Sequence, residues 1–156
     1  ARRSMVAVPA LVGDAVEVVK SRVESAGVDL VWHVDDDVPP LSGDPVALRQ
    51  MLVNLLVNAV DALSPFGTIR VSASVDDGAA GRAVEIAVAD DGPGIAPDHV
   101  ARVFEPFFTT KSPDRGTGLG LAIVQRVARA HRGTVAVESA PGAGTTMRVR
   151  LPLEHP

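Results

Sequence analysis

The sequence predicts an α/β protein in which a sheet is covered by helices on one side only. Three observations carry this. Apolar residues recur with helical period after Pro9, from Asp44 to about Leu63, and from Ala122 to His131. Residues 68–75 and 84–89 alternate apolar with polar or small side chains, the period of a strand. Both of those strands show a single apolar face, as a sheet packed on one side requires.

The chain has 156 residues, enough for one domain, 1–156, with its own core. Hydrophobic residues make up 46% but aromatics only 3%, so the core must be built from Val, Leu, Ile and Ala. The net charge of -4 gives no electrostatic case for a nucleic-acid partner. There is no cysteine, which excludes disulfides and thiolate metal sites. No stretch reads as long and apolar enough to span a membrane, and no signal peptide is visible. The expected compartment is the cytosol, without direct membrane contact, and the isolated domain is expected to be a monomer. A membrane-anchored parent protein is compatible with this.

Met5 to Val8 reads as a strand. The helix after Pro9 places Val12, Val16, Val19, Val23 and Ala26 on one face and ends at Gly27. Leu30, Trp32 and Val34 alternate with Val31 and His33 as a strand, with Trp32 expected in the core. Asp44-Pro45 starts the next helix: a capping carboxylate, then proline at the first helical position. Its body, 51–60, is almost wholly apolar and is expected to be buried. Residues 68–75 and 84–89 are paired as a hairpin across a loop from Asp76 to Arg82. A short helix is expected near Pro97 to Arg102. Gly133 closes the helix 122–131. Val135 and Val137 lie on one strand, and Met147, Val149 and Leu151 on the last.

Four stretches carry chemistry. In the apolar helix, Asn54 and Asn58 stand four residues apart on one face, about 6 Å along the axis, and Asp61 and Ala62 continue it. Buried amides need partners. One reading has them cap nearby backbone; the other, favoured by two Asn and an Asp in one stripe, has them face a polar ligand or an oxygen-coordinated Mg²⁺. Next, the strand 84–89 runs into Asp90-Asp91-Gly92-Pro93-Gly94-Ile95, an acidic turn in which glycine permits close ligand approach. Third, Phe104, Phe107 and Phe108 crowd an irregular stretch with Thr109, Thr110 and Lys111. It reads as a loop stapled to the body or as a lid with an aromatic foot. Lys111 is the only lysine besides Lys20, which suggests that a compact ammonium is wanted there. Last, Gly116-Thr117-Gly118-Leu119-Gly120-Leu121 feeds a helix N-terminus, the arrangement of an anion site, with a flexible hinge as the plainer alternative. The spacing fits neither the P-loop nor the dinucleotide fingerprint.

In this order the four stretches resemble the catalytic and ATP-binding domain of bacterial sensor histidine kinases, within the superfamily of gyrase, heat-shock chaperone and mismatch-repair ATPases. The resemblance covers nearly the whole chain, and it is the combination of boxes that is specific. It implies a two-layer α/β sandwich of the Bergerat type: a mixed sheet of about five strands, three helices on one face, and ATP between the helices and a lid. It implies that Asn58 holds Mg²⁺ with Asn54 beside it near the phosphates, and that Ala62 closes this N box. Asp90 is similar to the adenine-reading aspartate, with Gly92, Gly94 and Ile95 shaping the pocket and Thr145 helping. Phe104, Phe107 and Phe108 are similar to the F box at the root of the lid. Gly116, Thr117, Gly118, Leu119, Gly120 and Leu121, together with Lys111, would face the phosphates. On this resemblance the catalytic residues are Asn54 and Lys111 and the ligands are Mg²⁺ and ATP or ADP.

The implied activity is that of a protein-histidine kinase. It transfers the γ-phosphoryl group to a histidine on a partner's helical hairpin, with a response regulator downstream. Adenine offers an amino group to a carboxylate where guanine offers a carbonyl, so such a site prefers ATP. Two departures stand out. Asp61 occupies a position where many members carry Lys or Arg, so the resemblance implies no phosphate contact from it. And none of His33, His99, His131 and His155 sits in a phospho-acceptor context, so the chain is expected to be the catalytic half alone. Three other readings remain. In a gyrase- or chaperone-type ATPase, a Glu base would stand where Asn54 does. A serine kinase acting as an anti-sigma factor and a noncatalytic ATP sensor are the others.

Overall fold

The computed structural model describes residues 3–63, 66–78, 81–106 and 120–153. In chain order the elements are β1 (Ser4–Val6), α1 (Val8–Ala26), β2 (Val28–Val34), β3 (Leu41–Gly43), α2 (Pro45–Leu63), β4 (Gly67–Gly78), β5 (Gly81–Asp90), α3 (Pro97–Val100), α4 (Gly120–Ala130), β6 (Thr134–Ser139) and β7 (Thr145–Pro152). Five strands form one mixed sheet in the order β2-β4-β5-β7-β6. Only the β2–β4 pair is parallel; the other three are antiparallel. The long helices α1, α2 and α4 pack side by side over one face, with α2 in the middle. This is the two-layer sandwich that the sequence predicts.

Local chemistry explains the element ends. Gly27 closes α1 in the left-handed conformation, φ 67°, and its N–H reaches back to the carbonyls of Glu24 and Val23. Asp44 caps α2: its Oδ1 accepts from the N–H groups of Val46 (3.0 Å) and Ala47 (3.2 Å). The core between the layers is aliphatic, as the composition requires. Leu48, Met51, Leu52, Leu55 and Leu56 of α2 meet Ile69, Ile86, Val149 and Leu151 of the sheet, all at most 1% exposed. By length and composition alone α2 passes for a membrane-crossing helix, contrary to the expectation that no such stretch exists. Here that apolar surface is spent on the core of the domain.

The opposite sheet face is polar and charged, matching the alternation. Arg148 bonds Glu85 at 2.9 Å and also Glu138, and Arg150 bonds Asp76 at 2.8 Å. These ties explain a correction. Residues 76–78 and 81–82 lie in strands and not in a loop, because β4 and β5 pair as far as Gly78 and Gly81. Asp76, Asp77 and the glycines suggest a loop, but Arg150 and Arg82 neutralise the acidic run and the ladder continues.

Other expectations shift for equally local reasons. The first strand stops at Val6 and pairs with β3, which sequence reading missed. Val8 already belongs to α1 and is fully buried. Trp32 is not a core residue: β2 is an edge strand, and Trp32 is 42% exposed. A Cβ built at Gly13 would stand 3.6 Å from its indole, so the ring lies over α1 at the rim of the sandwich. The helix expected at 97–102 is one turn, Pro97–Val100.

Candidate functional site

Asp90 ends β5, the central strand of the sheet, and pairs in register with Ile69 on one side and Thr145 on the other. Its Oδ1 accepts from the N–H of Gly92 at 2.9 Å, and the carboxylate also takes a backbone hydrogen bond from Thr145. Burial raises its pKa above the ordinary 3.8; the two backbone N–H groups oppose the rise and neighbouring Asp91 adds to it. The turn that follows needs its glycines for different reasons. Gly94 sits at φ +80°, and a Cβ there would fall 2.0 Å from the carbonyl oxygen of Ala140. Gly92 has no positive φ. Its requirement is closeness: a Cβ would come 3.0 Å from Asp90 Oδ1 and 3.3 Å from the carbonyl of Ala62, at the end of α2.

The turn is held from the far side by the β6–β7 connection. The N–H of Gly142 donates to the Pro93 carbonyl at 2.7 Å, and the N–H of Ile95 donates to Ser139 Oγ at 2.8 Å. Gly144, at φ +74°, presses against the Asp90 carbonyl, which a Cβ would approach to 2.2 Å. Thr145 is 8% exposed, and its Oγ1 lies 2.8 Å from Ser139 Oγ. Gly92, Gly94, Ile95, Asp90 and Thr145 are therefore gathered in one place.

The Asn stripe lies along α2. Asn54 Oδ1 accepts from Gln50 Nε2 at 2.8 Å, and Asn54 Nδ2 donates to the carbonyl of Gly120 at 3.4 Å. Gly120 is the first residue of α4, so the amide of the α2 stripe touches the start of the helix behind the glycine-rich segment. Asn54 and Asn58 are half-buried rather than buried, a correction: the Asn54 contact shows that the stripe borders the place where α4 begins, not the interface with the sheet. Asp61 stands 4.0 Å from the Arg22 guanidinium of α1. Among the described residues no atom stands within 4 Å of a Cβ built at Gly120, and Leu121 packs against the core. Phe107, Phe108, Thr109, Thr110, Lys111, Gly116, Thr117, Gly118 and Leu119 lie outside the described residues. Phe104 packs against the core.

Sequence reading missed Ser139 and His131. Ser139 closes a strand where a polar residue is unremarkable, and no local signal marks it. His131 is 5% exposed, with both ring nitrogens bonded to backbone, and only its position just before Gly133 hints at a structural role.

Residues 43–155 match the family of histidine kinase-, DNA gyrase B- and HSP90-like ATPases. Over 143 residues, 92% of this chain, the sequence is 38% identical to sensor histidine kinase ZraS of Escherichia coli K12. Over 149 residues, 95% of this chain, it is 38% identical to signal transduction histidine-protein kinase AtoS of the same organism. These matches cover 30% and 24% of the two proteins, so the chain spans less than a third of the curated relatives' length. Among solved structures, the catalytic domain of histidine kinase ThkA superposes with a TM-score of 0.83 at 25% identity, covering 98% of this chain and 99% of that one. Full-length ShkA in complex with AMPPNP gives 0.85 at 35% identity, covering 99% of this chain and 32% of that one. The chain therefore belongs to the histidine kinase-, DNA gyrase B- and HSP90-like ATPase family, as a catalytic domain of its histidine kinase branch.

Proposed function

We propose that this domain binds Mg-ATP beside Asp90 and α2 and transfers the γ-phosphoryl group to a histidine on a partner helical hairpin, in the cytoplasm, with a response regulator as the next acceptor. The observation that carries the reading is the Asp90 pocket. An acceptor carboxylate ends the central strand and is braced by backbone N–H groups, and two glycines beside it leave no room for a Cβ. Such a site suits a flat ring edge that presents an amino group. That ShkA was solved with AMPPNP supports a nucleotide in the corresponding place.

Charge neutralisation is the chemistry Mg²⁺ supplies when bound. Among the described residues no group of three His, Asp or Glu is arranged to hold a metal. That suits Mg²⁺, which takes few protein ligands and is completed by phosphates and water. Asn58 is the residue we assign to it, with Asn54 beside the phosphates and Ala62 at the end of the same face. Gly116 to Leu121 would offer backbone N–H groups to phosphate, and Lys111 a compact positive charge. Phe107 would seat the lid. Asn54 cannot serve as the base that hydrolysing relatives carry, so attack by water should be slow.

The test is phosphotransfer. Incubated alone with γ-labelled ATP, this chain should take up no acid-labile phosphate and should release little inorganic phosphate. Addition of the helical hairpin of its parent protein should label that hairpin in an acid-labile form, and Lys111→Ala should reduce the labelling. Brisk hydrolysis by the chain alone would move it to the gyrase or chaperone type. Acid-stable phosphate on a serine of an added protein would move it to the anti-sigma type. Nucleotide binding without any transfer to the hairpin would leave a sensor.

A further inference from the structure

Ser139 closes β6 and has three hydrogen-bonding neighbours. Its Oγ donates to the carbonyl of Gly144 at 3.0 Å, accepts the N–H of Ile95 at 2.8 Å, and lies 2.8 Å from Thr145 Oγ1. A serine hydroxyl has one hydrogen and two lone pairs. The Gly144 carbonyl can only accept, so the Ser139 hydrogen goes there. One lone pair takes the Ile95 N–H. The second is left for the Thr145 hydroxyl, which must then be the donor. Ser139 is saturated, and the single hydrogen of Thr145 is used within the protein. What Thr145 Oγ1 has left is lone pairs. Beside it, the Asp90 carboxylate also only accepts when ionised.

We infer that Ser139 is a positioning residue for nucleotide selection: it locks the Ile95 turn to the β6–β7 hairpin and, by taking the Thr145 hydrogen, makes the Thr145 hydroxyl an acceptor. The pocket then shows two acceptors side by side and favours a purine with an amino group at C6, met directly or through a water, over one with a 6-oxo group. Without Ser139 Oγ, the Thr145 hydroxyl is free to turn and donate, and a 6-oxo purine becomes tolerable. The inference rests on the reading of Asp90 as the purine site.

The experiment measures displacement of a fluorescent ATP analogue by ATP and by ITP, which differ in the C6 substituent, on wild type and on Ser139→Ala, Ser139→Thr, Thr145→Val and Asp90→Asn. For Ser139→Ala, ATP should bind about tenfold more weakly, the equivalent of one hydrogen bond. ITP should lose less, so that the ATP-to-ITP preference narrows. Ser139→Thr, which keeps the hydroxyl, should restore the preference. A purely structural role would weaken both nucleotides alike and leave the preference where it was, which would overturn the inference. Should Ser139→Ala fail to fold, Thr145→Val decides between the same two outcomes: narrowing supports the inference, an unchanged preference refutes it. Asp90→Asn separates the two levels. If it narrows the preference and the Ser139 and Thr145 variants do not, only the Ser139 inference fails. If it too changes nothing, the purine reading of the pocket fails with it.

Discussion

Nε2 of His131 lies 3.0 Å from the backbone nitrogen of Asp44 and accepts its hydrogen. Nδ1 of the same ring is 2.8 Å from the Val127 carbonyl, so it carries the proton and donates. The imidazole is thus a neutral bridge between the end of α4 and the capping residue of α2. Ten residues along α2, Asn54 touches Gly120 at the start of α4. The two helices run antiparallel and α4 is fastened to α2 at both of its own ends, which fixes where the α4 N-terminus stands relative to the Asn stripe. His131→Ala leaves the half-buried Asp44 N–H without its acceptor and opens a cavity where the buried ring stood. Urea unfolding should show a loss of about 2–4 kcal/mol. A loss under about 0.5 kcal/mol, typical of a surface substitution, would contradict this account.

Gly94→Ala and Gly144→Ala should both be severe. Each puts a Cβ within 2.2 Å of a carbonyl oxygen, and each imposes a left-handed φ on alanine. Thermal unfolding should show losses of about 2 kcal/mol or more, with weakened ATP binding. Gly142→Ala is the control. It shares the positive φ but meets no described residue within 4 Å, so its loss should be near the strain of the backbone alone, about 1 kcal/mol. Equal losses at all three positions would mean that the packing of the turn after Asp90 on the β6–β7 hairpin is unimportant.

Asp90 makes a prediction about stability against pH. Its folded pKa is raised, chiefly by burial, so the folded protein holds that proton more tightly than the unfolded chain. The sign follows: above the unfolded value of 3.8, ionising Asp90 costs the fold, and the cost grows until the folded carboxyl is fully ionised. Asp90→Asn is neutral throughout. In the absence of nucleotide its melting temperature should rise relative to wild type as pH goes from about 4 to 7. A melting difference that stays flat or falls over that range would show that burial does not dominate at this carboxyl.

Much of this was legible in the sequence, because repeated signals enforce one another. The Asp44-Pro45 start and Gly27 end of the helices and the alternation in β4, β5 and β7 are local patterns that the fold obeys. Trp32 escaped because alternation assigns a face but cannot say that β2 lies at the sheet edge. Asp76 and Asp77 escaped because the arginine Arg150, which keeps the former in a strand, is far along the chain. The site shows the same division. The box residues announce themselves by type and spacing. Ser139 and His131 matter through contacts 44 and 87 residues away in sequence, which no local pattern records.

Asn58 should matter through the metal. Asn58→Ala should weaken ATP binding in Mg²⁺ by about tenfold and leave binding in chelator nearly unchanged, since only the former loses a ligand to the ion. Paired titrations with and without Mg²⁺ check it. An equal loss under both conditions would make Asn58 a structural amide of α2.

The most direct measurement for the account as a whole is calorimetric titration of ATP into wild-type protein and Asp90→Asn in Mg²⁺. The substitution keeps the shape and replaces an acceptor-only carboxylate with an amide that can turn a donor toward the adenine amino group. The account predicts clear binding to wild type and at least about tenfold weaker binding to Asp90→Asn, the loss of one well-formed hydrogen bond or more, in a variant that remains folded. Equal affinity for the two proteins would contradict it.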